Sequence, residues 1–512
     1  MGYREISLKL PADYNEDELR KGIGKELGIQ EFSYQIENKS LDARKKENIH
    51  WLVRVLVLSG EVEGGVPLLS PSLEIPYRKR RERAVVVGSG PAGFFSAFIL
   101  QKAGFHTTII ERGTDVHKRA EGIREFEKTG VFNPVSNYAF GEGGAGTFSD
   151  GKLTSRSKHI SKERQFILSS YIQAGAPEEI GYMAHPHLGS DNLRKIVRNL
   201  RDAFSNIGGS VLFETMLEDL KIADGKVIEA ITTSGGIEAD YFIIAPGHSA
   251  YETYRMLIRR GVQFRTKNFA IGSRVEHPQE IINKAQWGRE RLAGVKAAEY
   301  RLTSPGDGNL PVYTFCMCPG GTVVPAAAYQ DTNIVNGMSL YMRDGKFANA
   351  ACVAGVHPDK LIGREATPEE ALDWLGALEQ SFYQYSDGFK APFCSIQNFI
   401  NRKEPAEIVE SSYPLELKPA ALWNLLPAEV SSSIREGLKD FSRKIKGFET
   451  GSIMGLESKT SSPIQVLREK DSRCTGFENL YLVGEGSGCA GGIISSGADG
   501  IKAAINIIEN NV

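Results

Sequence analysis

The sequence predicts an α/β fold, α+β when taken over the whole chain: a Rossmann-like nucleotide-binding domain carrying an inserted α+β substrate domain, with a small β-α-β-β domain in front. Three observations predict it. A G-x-G-x-x-G turn follows the apolar run Ala84–Val87 and opens a helix. A second strand, Gly-rich turn and helix occupies Asn479–Asn510. The first 77 residues alternate like strands around one amphipathic helix.

A chain of 512 residues is too long for one core, and four segments are read: 1–77, the small N-terminal domain; 78–264, the first part of the nucleotide domain; 265–455, the insert; and 456–512, the return of the nucleotide domain. A net charge of −2 gives no global field to attract nucleic acid or an anionic membrane. The six cysteines, Cys316, Cys318, Cys352, Cys394, Cys474 and Cys489, form no CxxC and fit free thiols in a reducing compartment. "MGYREISLKL" has no apolar leader core and no run reaches 18 apolar residues, so a cytoplasmic protein without a membrane partner is expected.

In the N-terminal domain "REISLKL" alternates as a strand, and Leu19, Ile23 and Leu27 repeat at helical spacing over Asn15–Gly28, with Gly28 as the stop. "EFSYQIE" and "IHWLVRVLVL" supply two further strands. Gly64–Pro76 reads as a linker, followed by the basic run "RKRRER" (Arg78–Arg83). Asp191–Asn206 reads as a helix with Asp191 as N-cap, its Arg194, Arg198 and Arg201 on a solvated face. Short strands fill Ser210–Ala250, and Pro368–Tyr385 is a helix of the insert.

In "VVVGSGPAG" Gly88 permits the tight turn, Gly90 lets the backbone approach a pyrophosphate and Gly93 lets helix and strand pack closely. Ser89, Pro91 and Ala92 complete the turn, and the helix start offers free N–H groups to phosphate. Glu111 ends the next strand, where a carboxylate can accept both ribose hydroxyls and disfavours a 2′-phosphate; Arg112 follows it. The far segment "NLYLVGEGSGCAGGIISSG" separates NAD from FAD. A plain NAD domain has no use for it, whereas an extended FAD has its ring far from its adenine. Gly484 and Glu485 would meet the ribityl chain, and Gly491, Gly492 and Ile493 would aim a helix N-terminus at the flavin N1/O2 edge. "FGEGGAGTFSDGKL" adds Gly143, Gly144 and Lys152, the last as a group reaching flavin or phosphate. "FIIAPGHSA" adds Ala245 and Gly247.

With these motifs in order, the chain resembles FAD-binding flavoproteins of the glutathione-reductase-like fold that carry a substrate domain before the C-terminal flavin motif. More narrowly it is similar to a family of bacterial FAD-dependent dehydrogenases, through "SLDARKK", "VVVGSGPAG", "FGEGGAGTFSDGKLT", "HPHLGSDNL", "RVEHPQ", "YTFCMCPGGTVVPAA", "TSSP" and "GEGSGCAGGI". "IGSRVEHPQ" departs slightly from the family's "IGVRIEHPQ". The resemblance implies FAD and an oxidoreductase, and it implies no substrate. One G-x-G-x-x-G and no CxxC exclude a pyridine-nucleotide:disulfide reductase, though NAD(P)H can still bind transiently.

For the chemistry, "FAIGSRVEHP" reads as a strand with Arg274 and Glu276 on one face and His277 on the other. Arg274 is the candidate clamp for a substrate carboxylate, oriented by Glu276. His248, after the Pro246–Gly247 turn, is the candidate for proton transfer. His185 and His187 lack the further ligands of a metal site, so no metal is expected. Cys316 and Cys318, two apart on a strand, read as buried small hydrophobes too far apart for an easy disulfide, and Cys489 reads as a thiol neighbour of the flavin. The expected function is hydride transfer between a small molecule and flavin N5. Two alternatives stay open: an RNA-associated flavoprotein using the N-terminal domain and the basic run, and an FAD-bound sensor. The N-terminal strands lack the aromatic pattern of an RNA-reading sheet.

Overall fold

The structure, a computed structural model, describes residues 2–65, 72–405 and 409–510; residues 66–71 of the linker lie outside them. The N-terminal unit runs β1 (Gly2–Pro11), α1 (Glu16–Leu27), β2 (Ser33–Asp42) and β3 (His50–Ser59), an antiparallel sheet in the order β1-β3-β2. Asn15 caps α1 by accepting the Glu18 N–H at 3.0 Å, and Glu18 returns the bond to the Asn15 N–H; Gly28, at φ 70°, stops the helix. Leu19 and Ile23 pack against Val53, Val55 and Val57. This unit touches both others. Lys39 and the 182–184 loop exchange backbone bonds of 2.9 Å, and Gly294 of the insert lies so close to Ala12 that a side chain there would overlap its carbonyl.

The nucleotide unit begins with β4 (Arg83–Val87), α2 (Pro91–Lys102), β5 (His106–Ile110), α3 (Val116–Thr129), α4 (Ser161–Gln173), α5 (Gly189–Asn206) and β6 (Ser210–Leu212). A three-stranded meander follows, β7 (Leu217–Ala223), β8 (Lys226–Thr232) and β9 (Gly235–Glu238), then β10 (Tyr241–Ile244), α6 (Tyr251–Arg259) and β11 (Phe264–Thr266). Two expectations change here. Asp191 does not cap α5: the helix starts two residues earlier, and the Asp191 carboxylate accepts the Tyr341 N–H at 2.9 Å. Arg201 leaves the solvated face for Glu142, 3.2 Å away, and lies over the Phe213 ring.

The insert comprises β12 (Phe269–Pro278), α7 (Gln279–Trp287), β13 (Thr303–Ser304), β14 (Val312–Cys318), β15 (Gly321–Pro325), β16 (Val335–Ser339), β17 (Phe347–Val356), α8 (Pro358–Ile362), α9 (Pro368–Ser386), β18 (Ala391–Ser395), α10 (Ile396–Asn401), β19 (Leu417–Pro419), α11 (Leu422–Leu425), α12 (Ala428–Lys444) and β20 (Ser452–Glu457). Seven of its strands form one sheet, β13-β14-β17-β12-β20-β18-β19, antiparallel except at β18–β19. β12, central in it, is buried from Phe269 to His277. The insert sheet carries on to Glu457, so the return to the nucleotide unit follows that residue. β21 (Ile464–Val466) then pairs antiparallel with β11, placing the two crossings side by side, before β22 (Leu480–Leu482) and α13 (Ile493–Glu509).

The parallel sheet of the nucleotide unit has the order β22-β10-β4-β5-β6. β10 is thus hydrogen-bonded on one edge to a strand near residue 85 and on the other to one near residue 481. α13 crosses α2 over Gly500, where an added methyl would overlap the Ala92 carbonyl. Gly500→Ala is therefore expected to lower stability by about 1–3 kcal/mol and to weaken cofactor retention. An unchanged urea midpoint would refute that contact.

Candidate functional site

The Gly-rich turns converge at the carboxyl ends of β4, β10 and β22, where ligands of open α/β sheets bind. A methyl on Gly88 or Gly93 would overlap the Ala245 or Gly88 carbonyl, and one on Gly484 would meet the Ala92 methyl, so these glycines serve close packing of the turns. Gly144, at φ 67°, packs against Gly90 and ties the 140–153 loop to the first turn.

Sequence reasoning missed what holds that loop. Arg119, on α3 and fully buried, donates to five backbone carbonyls, those of Asn137, Tyr138, Gly141, Glu142 and Gly144, at 2.8–3.2 Å. Burial lowers its pKa to about 10, which still leaves it charged at neutral pH. Glu111 works beside it. Its carboxylate accepts the Ser89 N–H and hydroxyl at 3.0 and 2.7 Å, and the Gly113 and Gly141 N–H groups at 2.9 and 3.1 Å. These four donors fill the acceptor positions of a carboxylate, so a ribose hydroxyl would reach Glu111 by replacing the Ser89 hydroxyl. Arg112 lies over the Phe140 ring, 3.9 Å from its centroid, and pairs with Glu252.

At the far turn, the Gly484 N–H donates to Asp499 at 2.8 Å, and Asp499 is clamped by Arg468. Lys267 donates to the Gly488 carbonyl at 2.6 Å. His248 Nδ1 lies 3.5 Å from Glu485, while its Nε2 is buried without a partner. Side chains added at Gly247 or Gly492 would meet nothing within 4 Å, and one at Gly491 would meet only the Glu485 carboxylate; Gly491 and Gly492 are exposed at the N-terminus of α13. An open backbone edge, a helix N-terminus and an orphaned imidazole nitrogen on one cradle fit the ring end of FAD.

Residues 81–247 match the model of an FAD binding domain, residues 268–460 that of the FAD-dependent protein, C-terminal domain-like, and residues 3–58 a domain of unknown function. An uncharacterized protein of Clostridium beijerinckii is 37% identical over 532 residues, covering 99% of both chains. The chain belongs to this family of FAD-dependent proteins. Among solved structures it is similar to the glycine oxidase of Bacillus cereus ATCC 14579, at 12% identity, 84% and 96% coverage and a TM-score of 0.34. It is also similar to the L-proline dehydrogenase of P. horikoshii, at 11% identity, 85% and 94% coverage and a TM-score of 0.36.

In this flavoprotein the insert corrects several expectations. Arg274 is not a free substrate clamp. It is fully buried, and its donors go to Asn349 (2.7 Å), Glu457 (2.7 Å), Asn336 (3.2 Å), the Cys316 carbonyl (2.7 Å) and the Cys318 sulfur (3.5 Å). Nor does Glu276 orient it; that carboxylate accepts the Ser412 N–H and hydroxyl. Glu457 takes that role, an acid the sequence did not single out because β20 carries no motif. Lys152 donates to Asp150 (2.7 Å) and the Met317 carbonyl, and Arg343 forks onto Asp150 at 2.6 and 3.0 Å. Burial pushes His277 and His187 down to about 4, so both stay neutral; their Nε2 atoms lie 2.7 and 3.0 Å from the Phe448 and Tyr341 carbonyls. Among the described residues no His, Cys, Asp and Glu group could hold a metal, and no helix is long and apolar enough to cross a membrane.

Burial pushes the Glu457 carboxyl up to about 7, outweighing the pull of Arg274. Arg274→Met is expected to cost about 3–5 kcal/mol, because it leaves Glu457, Asn349, Asn336 and the Cys316 carbonyl buried without their shared donor, read as a lowered denaturant midpoint. A carboxyl raised from 4.5 to about 7 contributes stability that is complete below pH 4.5 and lost as pH rises through about 7. A protonated-carboxyl infrared component should accordingly fade with a midpoint near that pH, and Glu457→Gln should remove that component from the difference spectrum.

Proposed function

We propose that this flavoprotein is an oxidoreductase that passes a hydride between a small-molecule substrate and flavin N5, with the substrate held between the FAD unit and the inserted sheet. The observation that carries this reading is the meeting of the two distant Gly-rich turns on parallel strands that flank β10 on either side, with His248 beside Glu485 of the far turn and its charge felt at the buried Glu457. Bound FAD supplies two-electron chemistry. The turn after β4 and the start of α2 would take the pyrophosphate. Gly491, Gly492 and Ile493 would present the positive end of α13 to the ring.

The chain's own residues manage protons and position. His248 holds its ring against Glu485 through Nδ1 and leaves Nε2 to give or take a proton. Glu457, its carboxyl pushed up to about 7 by burial, titrates near neutral pH and feels the charge of His248, so the two would exchange charge as substrate gains or loses a proton. Arg274 fixes Glu457, and the buried β12 gives that pair a rigid seat. NAD(P)H or another soluble electron partner would enter transiently.

The purified protein should be yellow, and its visible flavin bands should bleach anaerobically with NADH, NADPH or one member of a metabolite panel. A colourless protein that refuses saturating FAD would end the reading. His248→Ala should keep FAD yet slow substrate-driven bleaching by about 10²–10⁴-fold; an unchanged rate would remove His248 from proton transfer.

A further inference from the structure

The segment Cys316–Met317–Cys318 departs from a regular strand. Along β14 the pairing with β17 jumps from Phe315↔Ala351 to Cys318↔Asn349, three residues against two, so one residue is extra. At the bulge Cys316 adopts φ 42°, a left-handed conformation that a non-glycine residue takes only where its surroundings impose it. The bulge breaks the alternation that would keep two side chains parallel, and the titration of each thiol is shifted first by the other. The Cys318 thiol also lies 3.3 Å from the Cys316 carbonyl.

Two cations converge on the segment from different units. Arg274 donates to the Cys316 carbonyl and the Cys318 sulfur from the insert; Lys152 donates to the Met317 carbonyl from the loop of the FAD unit that carries Gly143 and Gly144. The hydrogen bond from Cys318, with Arg274 and Lys152 nearby, lowers the Cys316 pKa; the same bond raises that of Cys318. Cys316 is half-buried, Cys318 fully buried. Cys352, Cys394 and Cys474 differ: burial pushes each thiol up to about 12.

We propose that Cys316 and Cys318 form a redox-active thiol pair that closes to a disulfide within the bulge. In the step the Cys316 thiolate and the Cys318 thiol form one S–S bond, the remaining proton leaves Cys318, and two electrons pass to a two-electron acceptor. Oxidised flavin belongs to that class, as does the disulfide of a substrate. The pair would give the site a chemistry for thiophilic partners: disulfides, or trivalent arsenicals that bridge two sulfurs. This inference does not rest on the hydride-transfer reading, because the pair can be oxidised and counted without turnover.

The test uses the full chain as purified, reduced, desalted and treated with diamide, whose azo bond takes up the two electrons and two protons. Free thiols are then capped with N-ethylmaleimide before digestion without reductant and mass spectrometry. The expected peptide spanning Cys316 to Cys318 lacks two hydrogens and carries no maleimide, and Cys489→Ser leaves that result unchanged. Two maleimides on this peptide, or a disulfide from Cys316 to any other cysteine, would overturn the proposal. As a second reading, Cys318→Ala should slow iodoacetamide alkylation of Cys316 at pH 5, below the thiol's pKa of about 6, by about tenfold for a one-unit rise; an unchanged rate would show that Cys318 does not sustain the thiolate.

Discussion

The hydrogen bonding of β10 along both edges is the constraint on which the rest of the molecule depends. β4 on one side and β22 on the other are drawn from opposite parts of the chain, and only this ladder sets their turns level. Parallel strands expose their carboxyl ends on the same edge, so three turns built for close approach open in one direction. Glycine is required there because the turns touch one another: Gly88 lies on Ala245, Gly484 on Ala92, Gly144 on Gly90. The insert leaves this sheet and returns to it through one antiparallel pair, β11 with β21, so a domain of almost 200 residues is added without disturbing the ladder.

Buried guanidinium groups do the remaining positioning. Arg119 gathers five carbonyls of a loop that has little regular structure, and Arg274 gathers two asparagines, a carboxylate, a carbonyl and a sulfur under the inserted sheet. A planar fork with five donors can satisfy several diverging acceptors at once, which an ammonium group cannot. Such a group adds little net stability compared with a well-packed apolar side chain, yet its removal leaves many polar atoms without partners. Its contribution is to fix one loop conformation among many.

The parts legible in the sequence were those whose signal is local. The N-terminal unit, with Asn15 and Gly28 bounding α1, and the turn of Gly88, Gly90 and Gly93 follow from neighbouring residues alone. What stayed hidden depends on partners far along the chain. Strand alternation correctly placed Arg274 and Glu276 on one face, but it carries no information about Glu457, nearly 200 residues later, which is the acid that meets Arg274. Asp191 has the spacing of a helix cap and is claimed instead by Tyr341. The bulge at Cys316 arises from a mismatch with β17, and one strand's sequence does not record its partner's register.

The N-terminal unit is more than an appendage. It is fastened to the FAD unit at Lys39 and to the insert at Gly294, while the β11–β21 pair binds those two directly. Anchored at three corners, the assembly is a braced frame: the FAD unit and the inserted sheet could part only by breaking the backbone bonds at Lys39 and along β11–β21 together with the close seat of Gly294 on Ala12.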